Sequence, residues 1–191
     1  MKIGFDLDKI FINTPPFVPI SIINKFYKQR DNGILLYRIP SRAEQLILRK
    51  PSHHPFLRPP MKQNLSFLKE LAKDKNNQLF LISSRFKFLE PETQRLINKY
   101  HLDKIFDKLY FNYDNKQPHE FKNDILKKLN LDIFVDDDLS LVRYVAKDNP
   151  QTKFFWLDEH TRPDKIGDNI SAISNLADIF ANTKNLIPNS K

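Results

Sequence analysis

The sequence predicts an open α/β fold: a doubly wound parallel sheet with a small, mainly helical cap insertion after the first strand. Three observations carry this. Short apolar runs at residues 3–5, 79–82 and 133–135 each stop abruptly at polar residues, the pattern of strands buried on both faces. From residue 63 onward, helical periodicity and strand-like runs alternate, which is how a parallel sheet with helices on both faces is written. Residues 14–62 break that alternation and are punctuated by prolines, so they read as an insertion over the sheet edge. The predicted core is therefore 1–13 with 63–182. The cap is 14–62, and 183–191 is a polar, frayed tail.

In chain order, the first strand runs into Asp6-Leu7-Asp8, and Pro15-Pro16 close the short segment after it. Residues 17–29 carry Val18, Ile22, Ile23, Phe26 and Tyr27 at helical spacing, and 30–33 read as a turn. Residues 41–50 read as a second cap helix, with Ser41 and Glu44 at capping-box spacing. Residues 63–73 form an amphipathic helix through Leu65, Leu68, Leu71 and Ala72. A strand at 78–82 comes next, then a helix at 91–99 with Pro91 in its first turn. A strand is expected at 105–111, a helix at 119–129, a strand at 133–135 and a helix at 139–146. The last elements are a strand at 153–157 and a closing helix at 170–180 through Ile173, Leu176, Ala177 and Phe180.

The bulk composition narrows the chemistry. Forty per cent of the 191 residues are apolar and 12% aromatic, enough for a real core. No cysteine is present, which excludes disulfides, a thiolate nucleophile and cysteine-ligated zinc. No window approaches the ~18 apolar residues of a membrane span, so the expectation is a soluble cytoplasmic protein without a membrane partner. The formal charge of +8, from 31 Lys and Arg against 23 Asp and Glu, favours anionic partners. Phosphorylated small molecules rank first. Nucleic acid ranks last, because no aromatic–basic recognition motif is present. Nothing in the sequence fixes an oligomeric state.

The acids at the strand ends carry the functional signal. Asp6 and Asp8 end the first run, and Asp136-Asp137-Asp138 end another. Ser83-Ser84-Arg85 end a third. In parallel α/β sheets the C-terminal strand edge is where ligands bind. Like charges that close repel unless a cation relieves them. Alternatively, the acids cap turns and helices, and Asp138 suits the N-cap of the helix from Leu139.

Taken together, Asp6-Leu7-Asp8, Ser83 after its apolar run, Lys122, and Asp136-Asp137 after theirs resemble the four motifs of the haloacid dehalogenase-like (HAD) superfamily of phosphohydrolases. In form they look most like the branch containing 5′(3′)-deoxyribonucleotidases. The resemblance spans most of the chain. It implies an Mg²⁺-dependent phosphomonoesterase acting on a small phosphorylated metabolite, for instance a nucleotide. Asp6 would be the nucleophile and Asp8 the general acid and base. Ser83 and Lys122 would act on the transferring phosphoryl group, with Ser84 and Arg85 contacting substrate. Asp6, Asp136, Asp137 and the Asp8 carbonyl would hold the metal. Lys116 rivals Lys122, which is preferred because it opens the helix feeding the strand that ends at Asp136.

One departure stands out. Lys9 and Ile10 replace the family's usual Gly and Thr or Val, and Lys9 costs backbone freedom at the strand exit. It also adds a cation beside Asp8. This departure motivates a runner-up, a HAD-like binding module with weak or no catalysis; action on nucleic-acid ends is a third reading. His53 and His54, adjacent and without a third ligand nearby, are assigned to the surface or to contact with an anionic substrate alongside Arg42, Arg49, Lys50 and Arg58. Trp156 is assigned to the core.

Overall fold

The computed structural model describes residues 1–16, 28–31 and 34–183. Seven strands form one sheet: β1 (Lys2–Phe5), β4 (Gln78–Phe86), β5 (Lys108–Asn112), β6 (Ile133–Asp136), β7 (Lys153–Leu157), β8 (Asp164–Lys165) and β9 (Ile170–Ile173). Their order across the sheet is β5-β4-β1-β6-β7-β9-β8. All neighbours pair in parallel except β8 and β9. A two-stranded antiparallel ribbon, β2 (Lys28–Asp31) with β3 (Ile34–Tyr37), lies in the insertion.

The sheet is apolar on both sides because alternate residues of each strand feed different layers. Ile3, Phe5, Leu79, Leu81, Ile133, Val135, Phe155 and Leu157 face one core cluster. It also contains Leu68 of α2 (Lys62–Leu71), Leu96 and Ile97 of α3 (Glu90–Tyr100), and Ile179 of α6 (Asp178–Thr183). Phe80, Ile82, Phe134 and Phe154 face the other cluster, with Leu126 of α4 (Pro118–Leu129) and Val142 and Val145 of α5 (Leu139–Asp148). Gly4 falls on that second face. A Cβ there would stand 2.5 Å from Leu131 Cδ1, so the missing side chain lets the loop before β6 close on β1.

The chain order places the site. After β1 the chain builds outward through β4 and β5, then returns to the other flank of β1 with β6. The order reverses between β1 and β6, and ligands bind at such switch points. Asp6 leaves β1 and Asp136 ends β6, so both stand at the reversal.

Beyond β1 the chain turns tightly, Lys9 N–H donating to Ile12 O at 2.7 Å. The two ends of the insertion are clamped together, Asn13 N–H to Pro59 O and Met61 N–H to Phe11 O, both at 2.8 Å. Within it, residues 42–52 form one helical run, α1. Ser41 and Glu44 make the expected reciprocal capping box. The run widens to i→i+5 bonding over Gln45–Arg49 just before Pro51. Proline has no N–H and crowds the carbonyl four residues back, and the wider turn makes room for its ring.

Three sequence expectations change. Residues 170–180 are not one helix: 170–173 form β9 on the open edge of β7, and helix resumes only at Asp178. The Ile-Ser-Ala-Ile segment gives β7 a hydrogen-bonded neighbour, which outweighs the helical spacing. The Asp178 carboxylate accepts the N–H groups of Ser174 and Asn175, fixing the turn between them. The strand expected at 105–111 begins at Lys108, after a 3₁₀ turn at Leu102–Lys104. In the insertion, 28–31 are strand rather than helix end or turn, so the cap carries a ribbon as well as helix. Residues 17–27 of the helix expected at 17–29 lie outside the described residues, as do 32–33 and 184–191. Among the described residues, no helix is long and apolar enough to cross a membrane.

Candidate active site

The C-terminal ends of β1, β4 and β6, with α4 and the insertion, enclose a cavity of about 190 Å³. Its floor is acidic. Asp6 and Asp136 are 6% and 1% exposed, and with Asp137 they offer carboxylate oxygens that all lie within 4.8 Å of one another. Asp6 accepts the Asp8 N–H at 3.1 Å, and Asp136 accepts the Asp138 N–H at 3.0 Å, so both carboxylates are braced by their own loops. Trp156, expected in the core, is only half-buried and belongs to neither core cluster; its indole N–H donates to Asp137 O at 2.9 Å and steadies the β6 loop.

Lys122 joins the two strand ends. It sits on the inner face of α4, one turn after Pro118 and one before Leu126, all three buried. Its ammonium lies 2.8 Å from Asp6 and 2.6 Å from Asp136. The rival Lys116 pairs with Asp124 at 2.8 Å on the surface. Burial alone would lower the Lys122 pKa, but Asp136 and Asp6 outweigh it and keep the side chain charged. Burial pushes the Asp6 carboxyl up to about 8; Lys122 opposes, while Asp136, Asp8 and Asp137 add. Burial likewise raises Asp137 to about 6, against the pull of Lys9.

Asp8 has a different environment. Arg85 grips it with two bonds, Nε at 2.8 Å and Nη2 at 2.6 Å, and Arg58 adds a third at 3.1 Å. Burial would raise the carboxyl, but Arg85 and then Arg58 hold it well below the usual carboxylate range. Lys9, expected as an added cation near Asp8, places its ammonium on Asp137 at 2.9 Å. The backbone concern about Lys9 is visible: its φ is 56°, in the left-handed region that favours glycine.

A bulge puts Arg85 there. The β4–β5 register shifts between Ser83 and Phe86, leaving Ser84 and Arg85 outside the regular pairing, and a bulge re-aims side chains. Ser84 lines the cavity with Arg85, whereas Ser83 is 1% exposed and is not part of the lining. Both hydroxyls are buried and meet no hydrogen-bond partner among the described residues.

The insertion supplies the remaining wall. His53 is buried, not on the surface as expected, while His54 is exposed. Arg58, buried, donates to Ser52 O at 2.9 Å and approaches His53 Nε2 at 2.9 Å. Tyr37, which the sequence did not single out, donates its hydroxyl to Asp138 at 2.7 Å. The Gln117 side chain clasps the Tyr37 backbone, accepting its N–H at 2.9 Å and donating to its carbonyl at 3.2 Å. Asp138 also caps α5 as expected, accepting from Ser140 and Leu141. Neither Tyr37 nor Gln117 belongs to a recognisable motif; only the folded insertion brings Tyr37 to the site, where Gln117 holds its backbone.

The residues suit a divalent cation. Mg²⁺ prefers oxygen ligands about 2.0–2.1 Å away, so oxygens sharing one ion sit up to about 4 Å apart. The spacing of Asp6, Asp136 and Asp137 is close to that.

No family model and no curated protein matches the sequence. Solved structures do match the fold. A HAD-superfamily hydrolase from Ehrlichia chaffeensis aligns at 15% identity and TM-score 0.54, covering 97% of each chain. A haloacid dehalogenase-like family hydrolase from Streptococcus pneumoniae aligns at 15% identity and TM-score 0.54, over 82% of this chain and 84% of the other. An uncharacterized protein from Listeria monocytogenes serotype 4b aligns at 12% identity and TM-score 0.55, covering 97% of each. The chain has the haloacid dehalogenase-like fold.

Proposed function

We propose that the protein is a Mg²⁺-dependent phosphomonoesterase that acts through an aspartyl-phosphate on a small phosphorylated metabolite. A nucleotide is one candidate. The observation that carries the reading is the Lys122 bridge between Asp6 and Asp136 at the sheet's switch point, with Asp137 alongside.

A phosphate ester is anionic, and the floor would repel it. Asp6, Asp136, Asp137 and the Asp8 carbonyl would hold a divalent cation, which when bound cancels that repulsion and polarises the phosphoryl group. Asp6 attacks phosphorus, forming the acyl-phosphate bond as the ester P–O bond breaks. Asp8 gives the leaving oxygen its proton. Asp8 then takes a proton from water, the water oxygen bonds to phosphorus, and the Asp6–phosphorus bond breaks to release phosphate. Lys122 offsets charge on the phosphoryl oxygens. Ser84 offers its hydroxyl from the cavity wall, and Ser83 stands one residue behind it.

The test is phosphate release from a panel of nucleotides, sugar phosphates and phosphorylated acids with Mg²⁺. Wild type should turn over at least one ester, and Asp6→Asn none. Equal rates in the two proteins refute the reading.

One observation favours a second reading, a module that binds metal and phosphate without turnover. Asp8 must carry a proton to act as the acid, and Arg85 and Arg58 hold it ionised. That reading predicts a higher melting temperature with Mg²⁺ but no phosphate release from any ester; turnover excludes it.

A further inference from the structure

We propose that the outer face of the insertion is a dimer interface, and that its occupant is a second copy of this chain related by a twofold axis. Leu46, Phe56 and Leu57 pack against the same face of the copy, and Lys50 of each chain meets Glu92 of the other. This face shares no lining residue with the acidic cavity, so the inference does not depend on the phosphatase reading.

Exposed apolar side chains concentrate on the insertion. Among the described residues seven large ones are exposed, and five of them, Ile39, Leu46, Ile47, Leu48 and Phe56, belong to it. Phe56 is 85% exposed and Ile47 79%. Scattered singly, such side chains need no explanation; gathered on one element, they mark an interaction surface. Leu46, Ile47 and Leu48 form the outward side of α1, and the next residue, Arg49, turns inward to the cavity.

The face carries a groove with a base and an acid. Leu46, Lys50, Pro51, Phe56 and Leu57 of the insertion line it, and Glu92 of α3 lines it from the core side. Glu92 is buried, yet its Oε2 meets no hydrogen-bond partner among the described residues. Arg95 lies 4.0 Å from the other oxygen, too far for a hydrogen bond. A carboxylate buried without donors is costly, and a cation supplied from outside offsets that cost. The groove therefore calls for a partner that brings apolar area together with a cation.

A second copy brings both on the same face. In a twofold dimer each contact is made twice, one residue on another and the reverse, so the patch must complement itself. Here apolar residues meet apolar residues, and Lys50 faces Glu92 at both ends. The chain carries a net charge of +8, so two copies repel except where acid lies opposite base. The loop that presents Phe56 is already held in place. His54 O accepts the Leu57 N–H at 2.9 Å. Lys99 and Tyr100 of α3 donate to Pro55 O and Arg58 O at 3.1 and 3.4 Å. Docking then pays little ordering entropy.

The test is sedimentation of the full chain across a concentration series. The weight-average mass should rise toward that of two chains. Phe56→Asp, at an exposed position, should stay monomeric and folded. Lys50→Glu sets like charges opposite each other twice and should weaken the dimer at least about tenfold, as should Glu92→Lys. Mixed in equal amounts, those two variants oppose unlike charges at both contacts, so a heterodimer should form with wild-type affinity. If far-ultraviolet dichroism shows Glu92→Lys misfolded, Glu92→Gln takes its place: it keeps the side chain's shape and should rescue Lys50→Glu in part. A monomer at every concentration overturns the proposal. So does a dimer that Phe56→Asp leaves intact, because it uses another face. A dimer that Phe56→Asp breaks but that both charge changes spare overturns the twofold pairing of Lys50 with Glu92.

Discussion

The Lys122 ammonium lies 2.6 Å from a carboxylate oxygen of Asp136, and both side chains are almost wholly buried. Asp6 shares the same ammonium at 2.8 Å. Removing one partner of a buried ion pair leaves an uncompensated charge and costs about 3–5 kcal/mol. Lys122→Met should therefore lower the melting temperature by roughly 10 °C in metal-free buffer. Saturating MgCl₂ should recover more stability in the variant than in wild type, because the cation takes over the neutralising role. Calorimetry with and without Mg²⁺ checks both halves. A variant as stable as wild type without metal would show that the bridge contributes nothing.

The floor of this site was legible because its residues sit where apolar runs stop. Asp6, Asp136 and Lys122 are fixed by strand ends and one helix face, both of which periodicity reveals. The wall was legible only as residues: the sequence offers Arg49, Arg58 and Arg85 as contacts for an anionic substrate, without their partners. Arg58 reaches Asp8 across 50 positions of sequence, and Tyr37 reaches Asp138 across 101. No spacing rule spans such separations; only the clamped insertion creates them. His53 looked like a surface residue because adjacent histidines seldom share a ligand, and nothing local announced Arg58 as its partner. The closing segment failed for another reason. Its apolar positions fit a helix, yet the open edge of β7 demanded a strand.

Lys9 combines a left-handed backbone with an ion pair to Asp137 that is 31% and 19% exposed on its two sides. A non-glycine residue in that conformation costs roughly 1–2 kcal/mol, and a partly exposed pair returns about 0.2–1 kcal/mol. Lys9→Gly should thus leave metal-free stability equal to wild type or up to about 2 kcal/mol higher. It should also free Asp137, so Mg²⁺ should bind more tightly. Melting temperature across a MgCl₂ titration measures this, and a weaker Mg²⁺ response in the variant would count against Asp137 as a ligand.

Tyr37 ties the insertion to the core through its hydroxyl on Asp138. That carboxylate also caps α5, accepting from Ser140 and Leu141. Burial, with Asp138 next, raises the Tyr37 pKa, so the hydroxyl stays a donor throughout the working range. A hydrogen bond to a charged group is worth about 1.5–3 kcal/mol. Tyr37→Phe should lose about that much in urea unfolding, with little change in far-ultraviolet dichroism because Asp138 keeps its cap. If Tyr37→Phe matches wild type, the hydroxyl does not hold the insertion down.

His53 provides a pH test of the cationic wall. Its folded pKa lies well below the usual histidine value of 6.5, from burial and then Arg58, Arg85 and Arg49, with Asp8 opposing. Below about pH 6.5 the unfolded chain therefore binds a proton that the folded protein refuses. Stability must fall as pH drops through that window, by at most about 1.4 kcal/mol per pH unit, until the folded group titrates. His53→Gln keeps an acceptor and a donor but cannot titrate. It should be less stable than wild type at about pH 7.5, and the gap should narrow by about 1 kcal/mol on going to about pH 5.5. The carboxylates titrate in both proteins, so the difference isolates the histidine. Parallel stability curves would mean that His53 takes up its proton in place and that the arginines around it exert little field.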